Sequence, residues 1–418
     1  MKQTLQLGAL SAANIGLAFL FQWYVLTQLG PGIETDALFA GMTLPQLVLT
    51  VISSSLMHVL VPILAGDDEK QLRHDAWAFL LLVGGLFSLL ALALYVTASW
   101  WIPLTVPGFS EKGLALAVDL TRIQLIGMVF AAINGVQWAA YHARQQFLWA
   151  EFTPILVSVF ALLLLIWALP RFGVIAAAWI GTFRMALQTL LLGRGMGRPV
   201  WPDFRTPAIR QAWRRIKPLL LGTAYYKTDP VVDRFLLSTA GSGSLSLYYL
   251  AQQIFGAISQ ILNKSLVSPL VPVLSKLHKA GDKEGFRRVY KQKSIQMVAL
   301  SLTGLLILGL FGQALLALLV GYGKLSVQNL ELLWLMMLLM SGQFAIGNLG
   351  MIMTSLFYSV GDTKSPTVAG AVAYTLGIII KIILFYFYGI LGLAFAVTVY
   401  FLISLFLMSK KIQANGYA

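Results

Sequence analysis

Twelve long apolar runs, separated by short polar breaks, fill this chain: 5–29, 37–64, 76–102, 114–141, 149–169, 174–192, 219–239, 246–274, 295–319, 326–359, 367–388 and 391–408. A helix needs about 20 mostly apolar residues to cross a bilayer, so each run is a candidate span. None shows the alternation of a membrane β-strand. Of the 418 residues, 58% are apolar and 11% charged, too few charges to cover two or three soluble domains. The chain reads as an all-α polytopic membrane protein with about 12 transmembrane helices. The run from Leu5 to Leu29 has no small-residue cleavage site after it and is expected to remain as the first span.

The formal net charge is +14, and its distribution decides its meaning. With the N-terminus placed inside, 21 of the 30 Lys and Arg fall on inside stretches, three on outside loops and six within spans. That asymmetry puts both termini in the cytoplasm. It excludes a nucleic-acid partner and directs the basic loops, 193–218 and 275–293, toward anionic lipid headgroups. Trp100-Trp101 and Trp149 sit at span ends, as interfacial anchors do.

Ser55–Leu64 reads SLMHVLVPIL and Ser265–Leu274 reads SLVSPLVPVL, six identities in ten at an offset of 210 residues. Six spans separate the copies, so the halves share one orientation. This predicts two parallel-repeat six-helix lobes, 1–192 and 219–418, joined by a basic cytoplasmic linker at 193–218 whose Arg210–Lys217 stretch is a candidate interfacial helix.

A charge inside a span costs about 2.5–3.5 kcal/mol on insertion scales and so tends to face a cavity or a partner. Arg122, Arg184, Lys227, Arg234, Lys264 and Lys381 are the bases so placed. Asp229 and Asp233 are the clearest acids, with Asp119 nearer an end and in reach of Arg122. In span seven, Tyr226, Asp229, Pro230 and Asp233 share one helical face, flanked by Lys227 and Arg234, and Pro230 is expected to kink the helix. Small residues on span ten (Ser341, Gly342, Gly347, Gly350) point to close helix packing, with a hinge for lobe rocking as the alternative.

No catalytic constellation appears, and the chain is not read as an enzyme. There is no cysteine, the four histidines (His58, His74, His142, His278) are scattered, and no phosphate-binding loop motif occurs. No metal or cofactor is expected.

Three stretches carry a resemblance: Thr35-Asp36-Ala37-Leu38-Phe39 with Leu44-Pro45 and Val61-Pro62-Ile63-Leu64; Val231-Val232-Asp233-Arg234 with Gly241, Ser242, Tyr248-Tyr249 and Pro272; and Phe357-Tyr358 with Asp362-Thr363-Lys364 and Pro366. In these the chain resembles flippases of the MurJ/MviN type, in the MOP superfamily that also holds the MATE transporters. The resemblance implies a central cationic cavity and transport of a polyprenyl-pyrophosphate-linked saccharide from inner to outer leaflet of a bacterial cytoplasmic (inner) membrane. It also implies glycan-assembly enzymes as candidate partners. Two departures stand out. Leu49-Thr50 occupies the place of the family's arginine pair after the Leu-Pro, and Gln252-Gln253 that of a basic residue after the Tyr of span eight. The glycan is therefore left open between lipid II and another cell-envelope precursor.

The expected cavity residues are Arg122, Arg184, Lys227, Arg234, Lys264, Gln252, Gln253 and Tyr226. Some relatives bind sodium through the acid that Asp233 matches. Lys381 is a candidate to stand in for that ion beside Asp233 or Asp229, with outward snorkelling as the alternative. Six intramembrane bases against three acids favour an anionic head group over the second hypothesis, a MATE-type ion-coupled antiporter of cationic small molecules. A scaffold for glycan assembly would need no charges inside the membrane.

Overall fold

The computed structural model describes residues 2–65, 68–204 and 206–417, with side chains described outside 2–5, 52–58 and 217–223. The side chains of Lys2, Arg205, Lys217 and the Ser55–His58 part of the repeat lie outside the described residues. All regular structure among the described residues is helical. The helices are α1 (Lys2–Leu29), α2 (Ile33–Gly41), α3 (Thr43–Leu64), α4 (Glu69–Thr105), α5 (Glu111–Ala143), α6 (Phe147–Gly193), α7 (Pro207–Lys227) and α8 (Asp229–Ser238). Then follow α9 (Ser244–Leu262), α10 (Leu270–Lys279), α11 (Lys283–Val320), α12 (Val327–Leu339), α13 (Ser341–Ser359) and α14 (Lys364–Ala414).

Eight helices among the described residues are long and apolar enough to cross a membrane. Two of them are hairpins. Arg184 Nη1 lies 3.5 Å from Ser158 Oγ although 26 residues separate them, which is about 39 Å along a straight helix. The chain must fold back between them, and it does so at Gly173, whose φ of 61° interrupts α6. Gly389, at φ 58°, does the same in α14 and brings Gly377 against the ring of Tyr400.

The chain divides into two compact units, Met1–Gly243 and Ser244–Ala418. This division falls beyond the 193–218 stretch read as a linker. From Pro207 onward that stretch is the start of α7. Ala212 and Ile216, one turn apart, bury in the first unit's core with Leu72, Ala76 and Met196, leaving Arg214 and Arg215 exposed.

Each unit has its own core, and the matched leucines of the sequence repeat are buried in each. Leu60 and Leu64 are fully buried in the first. Leu270 and Leu274, 210 residues later, are buried in the second. The second copy differs in backbone: Asn263–Val267 forms a π-helical turn, with Ser268 N–H donating to Asn263 O at 2.9 Å. Pro269 explains the widening, since a proline ring clashes with the carbonyl four residues back in a regular α-helix.

Candidate functional site

A cavity of about 250 Å³ lies inside the first unit. It is made by small residues at helical spacing. Ala18 of α1, Gly127 and Ala131 of α5, and Ala177, Ala178 and Gly181 of α6 all line it. Full-size side chains there would close the gap. A Cβ added at Gly181 meets nothing within 4 Å. Between α2 and α3 the helix is interrupted at Met42, and Pro45, from the Leu-Pro of the sequence motif, forms part of the wall.

The return arm of α6 carries Arg184 into this cavity. Its register is held by polar side chains that bond to backbone across the α5–α6 seam. Thr182 Oγ1 donates to Ile123 O at 2.9 Å, Asn134 Nδ2 to Met185 O at 3.2 Å, Gln137 Nε2 to Thr189 O at 3.0 Å, and Tyr141 OH to Leu192 O at 3.2 Å. Such interhelical bonds tie helices together where no hydrophobic effect separates protein from lipid.

The polar groups of the cavity are under-satisfied. The Arg184 guanidinium has Ser158 Oγ at the limit of a hydrogen bond and the ring of Phe21 at 5.8 Å, but its Nε is buried without a partner. Gln22 Oε1 and Gln124 Oε1, both on lining residues, are likewise buried and unbonded. The Gln124 amide is oriented by its Nε2, which donates to Leu38 O at 3.1 Å. The described lining residues include no carboxylate. A guanidinium and two amide side chains thus line one cavity, and the Arg184 Nε and both amide oxygens are buried without hydrogen-bond partners. That set suits an anionic group on a body rich in hydroxyls or amides.

Sequence reading anticipated Arg184 but missed Gln22 and Gln124. Both sit in the middle of apolar runs, where a search for charges passes over neutral amides. Arg122, by contrast, turns to the α4 side. Its Nη2 donates to Ser99 Oγ at 3.3 Å and its Nε to Tyr95 O at 3.4 Å, the guanidinium stacks 5.2 Å from the Tyr95 ring, and Asp119 is 3.8 Å away. It is not among the residues lining the cavity.

Span seven is interrupted next to Pro230, where a kink is expected. α7 ends at Lys227 and α8 begins at Asp229, with Thr228 between them. Pro230 stands in the first turn of α8, where its missing N–H costs nothing. Thr228 Oγ1 donates to Tyr225 O at 2.6 Å and so caps the end of α7. Tyr226, Lys227 and Asp229 are half-buried at the break, and Asp233 and Arg234 are buried one turn later. Arg234 Nη1 lies 3.4 Å from Pro230 O. Gln252, Gln253, Lys264 and Lys381 belong to the second unit. Gln252 and Gln253 are half-buried on α9, and Lys264 is exposed in the π-helical turn. Lys381 is 1% exposed, enclosed by protein rather than snorkelling outward.

Two of the sequence motifs prove to be structural corners. Thr35 Oγ1 donates to Gly30 O at 2.9 Å and accepts from Gly32 N–H at 3.0 Å. Asp36 is buried and accepts from Gly243 N–H at 2.6 Å, so the Thr-Asp and the Gly-Ser segments meet across a separation of 207 residues. Gly108 packs so tightly there that a Cβ would lie 2.3 Å from Ser238 O. In the Asp-Thr-Lys loop, Asp362 Oδ1 accepts from Ser365 N–H at 2.9 Å. That bond, aided by Tyr417, holds its carboxyl below the usual carboxylate range. On span ten, Gly342 and Gly347 let α13 approach Thr398 and Phe401 of α14, as the packing reading expects; nothing lies within 4 Å of a Cβ at Gly350.

Residues 25–415 match the family model described as "Lipid II flippase MurJ". A probable lipid II flippase MurJ of Vibrio cholerae serotype O1 is 22% identical, over all of this chain and 83% of its own length. The lipid II flippase MurJ of Burkholderia cenocepacia is 24% identical, over 79% of this chain and 68% of its own. Among solved structures, lipid II flippase MurJ in an inward closed conformation superposes with a TM-score of 0.81 at 16% identity, covering 97% of this chain and 86% of that one. An inward-facing MATE multidrug transporter of the MOP superfamily superposes with a TM-score of 0.78 at 15% identity, covering 96% and 95%. At these identities the two superpositions show the shared fold.

Proposed function

Because the chain belongs to the MurJ family of lipid II flippases, we propose that it moves a polyprenyl-pyrophosphate-linked saccharide from the inner to the outer leaflet by alternating access, making and breaking no covalent bond. Its place is the bacterial cytoplasmic membrane, with both termini inside. Its partners there are the lipid-linked glycan and the enzymes that assemble it.

One observation supports this reading: Arg184 lines a cavity with Gln22 and Gln124 and no acid among the described lining residues, and its Nε and both amide oxygens are buried without hydrogen-bond partners. A pyrophosphate oxygen accepts from the guanidinium, and sugar hydroxyls donate to Gln22 and Gln124. At about 250 Å³ the cavity exceeds the ~150 Å³ apolar cavity that holds a benzene, so it takes one ring-sized part of a head group, not all of it. Leu49, at the place of the family's arginine pair, also lines this cavity. We read Arg184 as supplying from α6 the positive charge that Leu49 does not supply from α3. A cation antiporter would need an acid in that place.

The substrate is identified by depletion: a lipid-linked saccharide should accumulate on the inner leaflet when the protein is withdrawn. The site is tested by comparing Arg184→Ala and Arg184→Lys with Arg194→Ala, a loop cation screened by salt. At equal expression, we expect Arg184→Ala to lower transport at least tenfold, Arg184→Lys to recover part of it, and Arg194→Ala to change little. Equal defects at Arg184 and Arg194 would remove Arg184 from the site.

A further inference from the structure

The second unit carries a groove of about 810 Å³ between α11, α13 and α14, which the transport reading does not use. One face of α11 runs along it as a graded lane. Arg287 and Lys291 come first, one turn apart; Ile295, Val298 and Leu302 follow at spacings of four, three and four. Those three apolar residues are exposed, and Met353 of α13 and Leu405 of α14 form the opposite wall. Neither Arg287 nor Lys291 has a carboxylate partner among the described residues, and both are exposed.

We propose that this groove is a specific site for one anionic glycerophospholipid, its phosphate between Arg287 and Lys291 and one acyl chain along Ile295–Leu302. The dimensions fit. Lys291 to Leu302 spans about 16 Å of helix, and one leaflet's hydrocarbon is about 15 Å deep. A uniformly apolar helix face would only be solvated by lipid tails, without selecting a head group. Here the basic pair sits where the apolar lane ends, so charge and chain are read together. Tyr290 and Ser294 line the same end of the groove. The lipid fills a cleft between three helices of one unit, so its binding stabilises that unit by mass action.

The full chain is reconstituted in nanodiscs of phosphatidylcholine, with and without phosphatidylglycerol, and its thermal unfolding is followed. We expect phosphatidylglycerol to raise the midpoint by roughly 4 °C. The double variant Arg287→Gln, Lys291→Gln should lose most of that rise, and so should Val298→Trp, which blocks the lane and leaves both charges. Arg214→Gln with Arg215→Gln removes two exposed cations from α7 and should keep the rise. Native mass spectrometry counts the phosphatidylglycerol retained, so a variant of altered stability is still scored by whether it loses one bound lipid. The proposal is overturned if the groove variants keep both the shift and the bound lipid. It is also overturned if the α7 variant loses as much, which makes the effect one of overall charge. A third overturning result is a shift with a polyprenyl phosphate in phosphatidylcholine but none with phosphatidylglycerol.

Discussion

Asp36 is an acid whose work is structural. Its carboxylate is buried and takes the Gly243 N–H at 2.6 Å, and hydrogen bonds to charged groups contribute about 1.5–3 kcal/mol. Asp36→Ala should therefore destabilise the first unit by about that amount; an unfolding midpoint equal to that of the wild type would show the bond to be idle. Asp362 differs in being only half-buried. Its carboxyl is held low by the Ser365 N–H, so its contribution is present above the unfolded carboxylate value of about 3.9 and is lost as pH falls through the folded value. Asp362→Asn should accordingly lower stability at pH 7, and the gap from wild type should close below about pH 4. A gap independent of pH would assign the loss to shape rather than charge. Gln22 and Gln124 make a further point at this scale. Neutral amides become informative once their oxygens are seen to be buried without partners in one space.

At the scale of the element, the cavity is a consequence of which helix faces carry alanine and glycine. On the return arm of α6, Ala177, Ala178 and Gly181 hold the space open, while Thr182 and Thr189 on the adjoining face bond to α5. Gly181→Leu should fill the cavity at little cost. Nothing lies within 4 Å of an added Cβ there, and leaving glycine gains up to about 1 kcal/mol of helix propensity. The expected pattern is an unfolding midpoint equal to or above wild type, with transport lost. Normal transport in that variant would take the cavity off the substrate's path. The break at Thr228 shows how an element can differ from its sequence reading. Pro230 predicts a kink in one long helix. The structure interrupts the helix at Thr228, which keeps helical φ/ψ, and places the proline in the first turn that follows, where its missing N–H costs least.

For the whole molecule, orientation is the claim most open to direct test. The absence of native cysteine makes single-cysteine labelling clean. Gly32→Cys and Lys324→Cys should react with a membrane-impermeant thiol reagent in intact cells, and Lys283→Cys only after permeabilisation. Labelling of position 283 from outside would invert the topology. The structure also guides the choice of probe. Gly32 has nothing within 4 Å of an added Cβ, whereas Gly243, at φ +89° and 3.1 Å from Pro31, would be strained by any side chain.

The sequence by itself determined the class of the molecule. Long apolar runs and sparse charge leave only membrane helices, because buried backbone must bond to itself in lipid. The TDALF, VDR and DTK segments identified the family that residues 25–415 match. It also marked Arg184 as one of six bases within spans, since a charge in an apolar run is visible in one dimension. Only the tertiary structure decided that Arg122 pairs along α4 and α5 while Arg184 enters a cavity. Both are single arginines in apolar helices, and their difference lies in which face meets which neighbour. Nor could the runs reveal that α7 packs into the first unit. That depends on Ala212 and Ile216 finding the core around Leu72 and Met196, and such long-range packing leaves no local mark in the chain.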